Sequence, residues 1–224
     1  MKKNGILVSL FLAISLNVNA NEIQYDWYVA GAFGKATYSA NEEDFNLGYS
    51  NTYDNSFDNS HSAFKLVGGY QINQVFSAEV GFVRLGELSF SESFVEGGYN
   101  NIVSDITYGR NVEVSGIVAN GVAQYPVTNN FLLFAKLGIF RWKADATTNY
   151  SQDLYYLVDD KFGGEPPFDQ YKDSETASDD GIDAFVGLGI SYLFERIEIR
   201  GEYEFYESDG DKIRVLSLGA LYRF

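Results

Sequence analysis

The side chains from which catalytic centres are usually built are scarce in this chain. Cysteine is absent, so there is no disulfide, no thiolate nucleophile and no zinc–thiolate centre. Histidine occurs once, at His61, which excludes any site that needs two imidazoles, and no metal or other cofactor is expected. His61 lies in Ser60-His61-Ser62, the one stretch where an imidazole sits beside hydroxyls, as acyl transfer requires. A lone His reads more simply as a solvated side chain. No acids fall at calcium-loop spacing, and Asp209-Gly210-Asp211 reads as a tight turn. What the chain does supply is charge of both signs at alternating positions. Arg196, Glu198, Arg200, Glu202 and Glu204 alternate with Ile197, Ile199, Gly201, Tyr203 and Phe205. A carboxylate and a guanidinium that meet away from water can pair bidentately. Glu79 and Arg200 are the candidates for such a pair, with Lys65, Lys136 and Glu202 as further members.

Only an element with a charged and an apolar face can bring these groups together. Lys and Arg number 16 against 31 Asp and Glu, a net charge of −15. That balance opposes a nucleic-acid partner, which needs clustered cations. Aromatics make up 17% of the residues, with 22 Gly and only 3 Pro, the composition of an all-β chain with many turns. Residues 1–20 read as a cleaved signal peptide: Lys2 and Lys3, then the short apolar stretch from Ile6 to Leu16, then Val18-Asn19-Ala20. The protein is therefore expected to leave the cytoplasm, with the fold in residues 21–224.

No later segment holds the 18 apolar residues of a membrane-spanning helix. Period-two alternation recurs instead, in eight runs at about 26–38, 61–72, 75–86, 110–125, 131–144, 181–194, 196–206 and 212–224. Short connections alternate with longer ones at 39–60, 87–109, 145–180 and, shortest of this set, 207–211. Ten-residue strands with short turns on one side and long loops on the other predict an eight-stranded antiparallel transmembrane β-barrel. A lipid-embedded sheet must close, because an edge would leave backbone groups unpaired. The rival is a soluble barrel or sandwich with its apolar face inward. Three features favour the membrane. One is the leader. Another is the aromatic set near the strand ends, Trp27, Tyr70, Tyr125, Tyr192, Tyr222 and Phe224 at one end and Tyr203 and Phe205 at the other. The last is an opposite face too charged and too glycine-rich for a dry core.

In this frame the chain resembles the OmpA-like outer-membrane β-barrel family over nearly its whole mature length. The resemblance is carried by Trp27-Tyr28, Val67-Gly68-Gly69-Tyr70-Gln71-Ile72-Asn73, Glu79-Val80-Gly81-Phe82, Tyr125-Pro126-Val127-Thr128, Ala135-Lys136-Leu137-Gly138 and Arg141-Trp142-Lys143-Ala144-Asp145. The close, Leu216 to Phe224, is the most specific stretch. Phe224 and Tyr222, with apolar residues at alternate positions before them, resemble the signal read by the barrel assembly machinery, which with periplasmic chaperones is an expected partner. The resemblance implies a Gram-negative outer-membrane location and contact with outer-membrane lipid. Members of full length add a peptidoglycan-binding domain, so the chain resembles a barrel-only member, expected to be a monomer.

An eight-stranded barrel has an interior that side chains fill. By parity Glu79, on the third run, and Arg200, on the seventh, point inward and face each other. The resemblance implies an acid and a base at these positions. Lys65, Lys136, Glu198 and Glu202 also point inward. Two readings stand: charge satisfaction in a closed barrel, or a gate in which pairs switch. The positions that match the family's second acid and base are Val122 and Ser191, neither charged, which weakens the gate.

Residues 39–60 carry five acids and no Lys or Arg, and residues 145–180 carry ten acids and two Lys. They read either as a solvated surface or as a recognition surface for a host-cell, phage or matrix ligand, the latter because of Tyr155, Tyr156, Phe162, Phe168 and Tyr171. Lys35, Arg84, Arg141, Lys143, Lys212 and Arg214 fall on the outward face near the loop end. They are expected either to contact lipopolysaccharide phosphates or to be neutralised by the acidic loops. Some small outer-membrane barrels modify lipid A, but parity turns His61 inward at the rim and only six residues separate the leader from Trp27. The chain therefore reads as a non-enzymatic envelope protein with a structural and surface-interaction role. A small low-conductance porin-like channel gated near Glu79 and Arg200 is the alternative.

Overall fold

In the computed structural model, residues 27–40, 52–97, 101–156 and 167–224 are described; the expected leader lies outside them. Nine strands follow in order: β1 (Trp27–Tyr38), β2 (Thr52–Asp58), β3 (Ser60–Gln71), β4 (Phe76–Gly97), β5 (Ile102–Pro126), β6 (Phe131–Tyr156), β7 (Asp169–Phe194), β8 (Ile197–Ser208) and β9 (Asp211–Arg223). All pairings are antiparallel. β1, β3, β4, β5, β6, β7, β8 and β9 form a ring of eight that closes where β9 pairs with β1, from Tyr28 opposite Arg223 to Tyr38 opposite Ile213. β2 stands outside the ring and pairs with the distal part of β4.

Local chemistry accounts for the turns. At one end, Asn73 Oδ1 accepts the amides of Val75 and Phe76, both at 2.8 Å, and Thr128 Oγ1 accepts that of Phe131 at 3.1 Å. At the opposite end Asp209 and Gly210 join β8 to β9 with φ of 51° and 86°, the left-handed pair that a two-residue hairpin needs.

The alternation in the sequence becomes a division between inside and outside. Leu137, Leu188 and Leu218 stand outward, each about two-thirds exposed (66%, 63% and 66%), among many other outward apolar side chains. Soluble surfaces rarely show so continuous an apolar face. Phe131 to Arg141 rise about 34 Å along the strand, which at a tilt of about 40° is about 26 Å along the axis, the height of a transmembrane band. Trp27 packs on Tyr70, and Tyr222 on Phe224, at the short-turn end; Tyr203 packs on Phe205 toward the other. The ring is an eight-stranded antiparallel transmembrane β-barrel.

The strands outrun their expected lengths. The segments read as loops at 87–109 and 145–180 are largely strand, because β4 reaches Gly97, β5 starts at Ile102, β6 reaches Tyr156 and β7 starts at Asp169; the loop read at 39–60 contains β2. The reason is visible along 88–94, where Leu88, Phe90, Glu92 and Phe94 are buried and Ser89, Ser91 and Ser93 are not. Threonine, tyrosine and phenylalanine favour a pleated, half-buried sheet, and the serines take its wetter face. β2, β4, β5, β6 and β7 thus continue past the barrel as a five-stranded sheet, reaching about 45 Å along β6 beyond Lys143. β4 enters it through a bulge in which Leu85 and Gly86 oppose Val114; Gly86 has φ of 81°, a conformation glycine allows without strain. On the far edge, β7 pairs with β8 only from Val186 to Phe194, so its segment 169–185 lacks a strand partner on that side among the described residues.

Inward glycines make room for large rings. A side chain at Gly189 would meet the Phe134 ring, and one at Gly69 the Tyr28 ring, whereas Gly68 faces outward with nothing near it. Gly189→Leu is expected to lower stability by about 1–3 kcal/mol, the usual cost of overpacking. The measurement is the urea unfolding midpoint in detergent micelles, and Gly68→Leu should leave that midpoint unchanged.

Candidate functional site

Alternate residues of β3, β4, β5, β6, β8 and β9 point into the lumen and build one connected chain of charges. Arg223 Nη2 donates to Glu198 Oε2 at 2.5 Å, and Arg200 Nε donates to Glu198 Oε1 at 2.8 Å. Arg200 Nη1 then reaches across to Glu79 Oε1 at 2.7 Å. Tyr28 and Asn120 also donate to Glu79, at 3.0 Å and 3.1 Å. Lys136 Nζ lies 3.2 Å from Glu79, 2.9 Å from Glu202 and 3.6 Å from Glu204. Lys65 closes the series against Glu202 and, at 2.7 Å, against Glu204. Four carboxylates therefore meet four cations, and the network is neutral. Glu79, which meets both Lys136 and Arg200, is 1% exposed.

Neutrality alone does not make such a site tolerable. Each buried ion loses several kcal/mol of hydration, which the partners must return through good geometry. Here every charge has at least one close partner, and the Arg200 guanidinium also lies 5.1 Å from the Phe134 ring centre and 5.5 Å from that of Tyr28. The void beside Lys65, Arg200 and Glu202 is about 10 Å³, scarcely room for one water.

Above Glu204 the lumen changes character. Tyr206 donates to Glu204 at 3.1 Å, then stacks on Phe185 at 4.8 Å and meets Phe140 edge-on at 5.1 Å. Leu85, Val114, Ile213 and Val215 pack into the same cluster. Phe140, Leu85 and Ile213 are 0% exposed, so the loop end of the lumen is stoppered by apolar side chains.

All five expected lumenal residues, Glu79, Arg200, Lys65, Lys136 and Glu202, come together in the one network. Val122 and Ser191 are also buried and inward, and the Ser191 hydroxyl has no partner among the described residues. Glu204, Arg223, Tyr28 and Asn120 were not anticipated as members. Glu204 and Arg223 share the parity of Arg200 and Leu221, a signal that was available; Tyr28 and Asn120 are neutral, and nothing in their type marked them.

The six outward cations divide into two groups. Arg84 pairs with Glu113 at 2.8 Å, and Lys143 with Asp145 at 2.6 Å. The Lys143 ammonium, and next the Ser178 hydroxyl, hold the Asp145 carboxyl below its ordinary range. Lys35, Arg141, Lys212 and Arg214 are exposed, with no carboxylate within 4.0 Å among the described residues. Lys35 and Arg214 are near neighbours across the β1–β9 seam, where Lys35 opposes Leu216 and Thr37 opposes Arg214.

His61 points inward at the rim, opposite Ala36. Its Nε2 is 3.8 Å from Asp58, its Nδ1 is buried without a partner, and no serine hydroxyl bonds it among the described residues. Tyr156 stacks on Phe168 at 4.2 Å and Tyr150 meets Tyr171 at 6.1 Å in the projecting sheet, with Tyr155 beside them; Phe162 lies outside the described residues. Phe224 and Tyr222 are exposed on the outer wall, and the Phe224 amide donates to the Trp27 carbonyl at 3.0 Å.

The family described as OmpA-like transmembrane domain matches residues 22–224. Outer membrane protein A of Serratia marcescens is 25% identical over 239 residues, covering 100% of this chain and 56% of that protein. Outer membrane protein A of Klebsiella pneumoniae is 24% identical over 223 residues, covering 92% of this chain and 53% of that protein. The chain thus spans about half the length of these curated relatives. Among solved structures, the attachment invasion locus protein Ail of Yersinia pestis, in complex with the heparin analogue sucrose octasulfate, is 18% identical with a TM-score of 0.42, covering 89% of this chain and 99% of that one. Neisserial surface protein A is 14% identical with a TM-score of 0.42, covering 88% and 97%.

Glu79→Gln leaves both Lys136 and Arg200 short of a carboxylate and is expected to cost about 3–5 kcal/mol of stability. Lys136 keeps Glu202 and Glu204, but the network then carries one excess positive charge; adding Lys136→Met restores neutrality and should recover much of that loss. Urea unfolding of the two variants checks this; a double variant no more stable than the single one would show that the pair is not coupled.

Proposed function

The chain belongs to the OmpA-like transmembrane domain family and is an integral β-barrel of the Gram-negative outer membrane, and from this we propose that it works as a closed wall-and-surface protein. It spans the membrane as a monomer, braces the envelope with a filled barrel and presents its projecting sheet to the exterior. The observation that carries this reading is the double closure of the lumen, by the ion chain below and by Phe140, Phe185 and Tyr206 above. Rearranging the pairs around Glu79 and Arg200 would leave the apolar stopper in place, so a gate at that level does not open a path by itself. This weighs against the low-conductance channel.

The protein acts without catalysis, in keeping with a rim imidazole that has a carboxylate at 3.8 Å and, among the described residues, no bonded hydroxyl. Phe224 and Tyr222 serve as the assembly signal, read by the barrel machinery before folding completes. In the membrane, Lys35, Arg141, Lys212 and Arg214 contact lipopolysaccharide phosphates, while Arg84 and Lys143 are satisfied by Glu113 and Asp145. The distal aromatics around Tyr156 and Phe168 are suited to protein recognition at the cell surface.

Protein purified from outer membranes and placed in planar bilayers is expected to show no discrete openings, with Glu79→Ala and Arg200→Ala equally silent while they stay folded. Regular openings that change with these substitutions would overturn the closed-barrel reading. Replacing Lys35, Arg141, Lys212 and Arg214 together by Gln is expected to reduce the lipopolysaccharide retained per barrel at least several-fold, whereas Arg84→Gln with Lys143→Gln should change it little.

A further inference from the structure

The outward wall of the barrel is layered by chemistry, and the layering continues past the membrane. Along β6 the outward residues are Leu133, Ala135, Leu137 and Ile139, then Arg141, Lys143 and Asp145, then Thr147, Asn149 and Ser151. Along β4 they are Ala78, Val80 and Phe82, then Arg84 and Glu87, then Ser89, Ser91 and Ser93. Hydrocarbon, charge and neutral hydroxyl or amide thus follow one another upward on a single face, in the order of the acyl chains, phosphates and sugars of lipopolysaccharide.

The uppermost zone is also shaped. The projecting sheet is dished into a trough of about 650 Å³ that crosses all five of its strands. Ser89, Ser91, Asn111, Asn149, Ser151 and Ser174 line it, and Gly109 lies among them, where the missing side chain deepens it. Lys172 and Asp173 bring a cation and a carboxylate to one margin. The Ser174 hydroxyl donates to Asn149 at 2.9 Å and so fixes that amide. Hydroxyls and amides both donate and accept, which matches the hydroxyls of a sugar. Asn149 stands about 27 Å along the strand above Arg141, a height at which the leaflet is saccharide.

We propose that this trough seats the core oligosaccharide of lipopolysaccharide molecules anchored in the surrounding leaflet. The continuity of the trough with the lipid-facing wall selects that source over a free polysaccharide. The proposal rests on the outer-membrane reading but not on the phosphate contacts assigned to Lys35, Arg141, Lys212 and Arg214.

The test uses protein purified from outer membranes and two lipopolysaccharides, one with a complete core and one truncated to lipid A with its innermost sugars. Gly109→Leu fills the trough without a clash, because a side chain there would meet only the Phe90 carbonyl at ordinary contact distance; Asn111→Ala with Asn149→Ala removes the amides. Gly97→Leu, on the same face with nothing near it, is the control. Binding of the complete form is expected to fall at least tenfold in both trough variants and to be unchanged in the control, with binding of the truncated form unaffected throughout. Equal loss for both forms, or no loss for the complete form, would overturn the proposal. So would competition by lipid-free core oligosaccharide at the same concentration as the anchored molecule. Replacing Lys35, Arg141, Lys212 and Arg214 together by Gln should weaken both forms alike, so a failure of the phosphate reading is distinguishable from a failure of this one.

Discussion

The closing of β9 onto β1 is the constraint from which the rest follows. An open sheet could place its apolar face against another layer and leave its polar face to water. Once the ring closes in lipid, no such choice remains. Every outward side chain must suit hydrocarbon and every inward one must find its partners in a space only a few side chains wide. The charges on β8 are tolerable because β3, β4 and β6 deliver opposite charges to the same axis. The glycines of the inner wall belong to the same constraint, since a ring the size of Phe134 fits only where its neighbour has no side chain.

The lumen divides into two materials with different mechanical character. The lower part is held by directional bonds, in which displacing one group leaves several others unpaired. The upper part is held by ring packing around Tyr206, which touches both zones through its hydroxyl and its face. Ion pairs could exchange partners with little change in volume. The stopper could not, because its rings fill the cross-section. A barrel of this kind resists opening at the level where its interior is least polar.

Much of this was legible in the sequence. Strict alternation in Arg196 to Phe205, with the strand count, was enough to place Glu79 opposite Arg200. What parity does not contain is the stagger between strands, which decides that Lys136 meets Glu79, Glu202 and Glu204 at one height. Phe140, Phe185 and Tyr206 share a face with the lumenal charges, so parity also holds the apolar stopper, though not the height at which the three rings meet. The segments at 87–109 and 145–180 were read as loops because a bilayer needs only about ten residues per strand. In the first of them Ser89, Ser91 and Ser93 alternate with Phe90, Glu92 and Phe94, and both faces of that strand lie outside the membrane.

Among the described residues, β7 has no strand partner on one side between 169 and 185. Backbone groups can go without a strand partner only where water replaces it. The ladder between β7 and β8 ends at Val186 opposite Phe205, and Phe205 lies opposite Arg214 on the next strand. The place where the cylinder splits is therefore a depth gauge written in hydrogen bonds: it marks the water line of the outer leaflet at the same level that the aromatic ring and the cation mark in side chains.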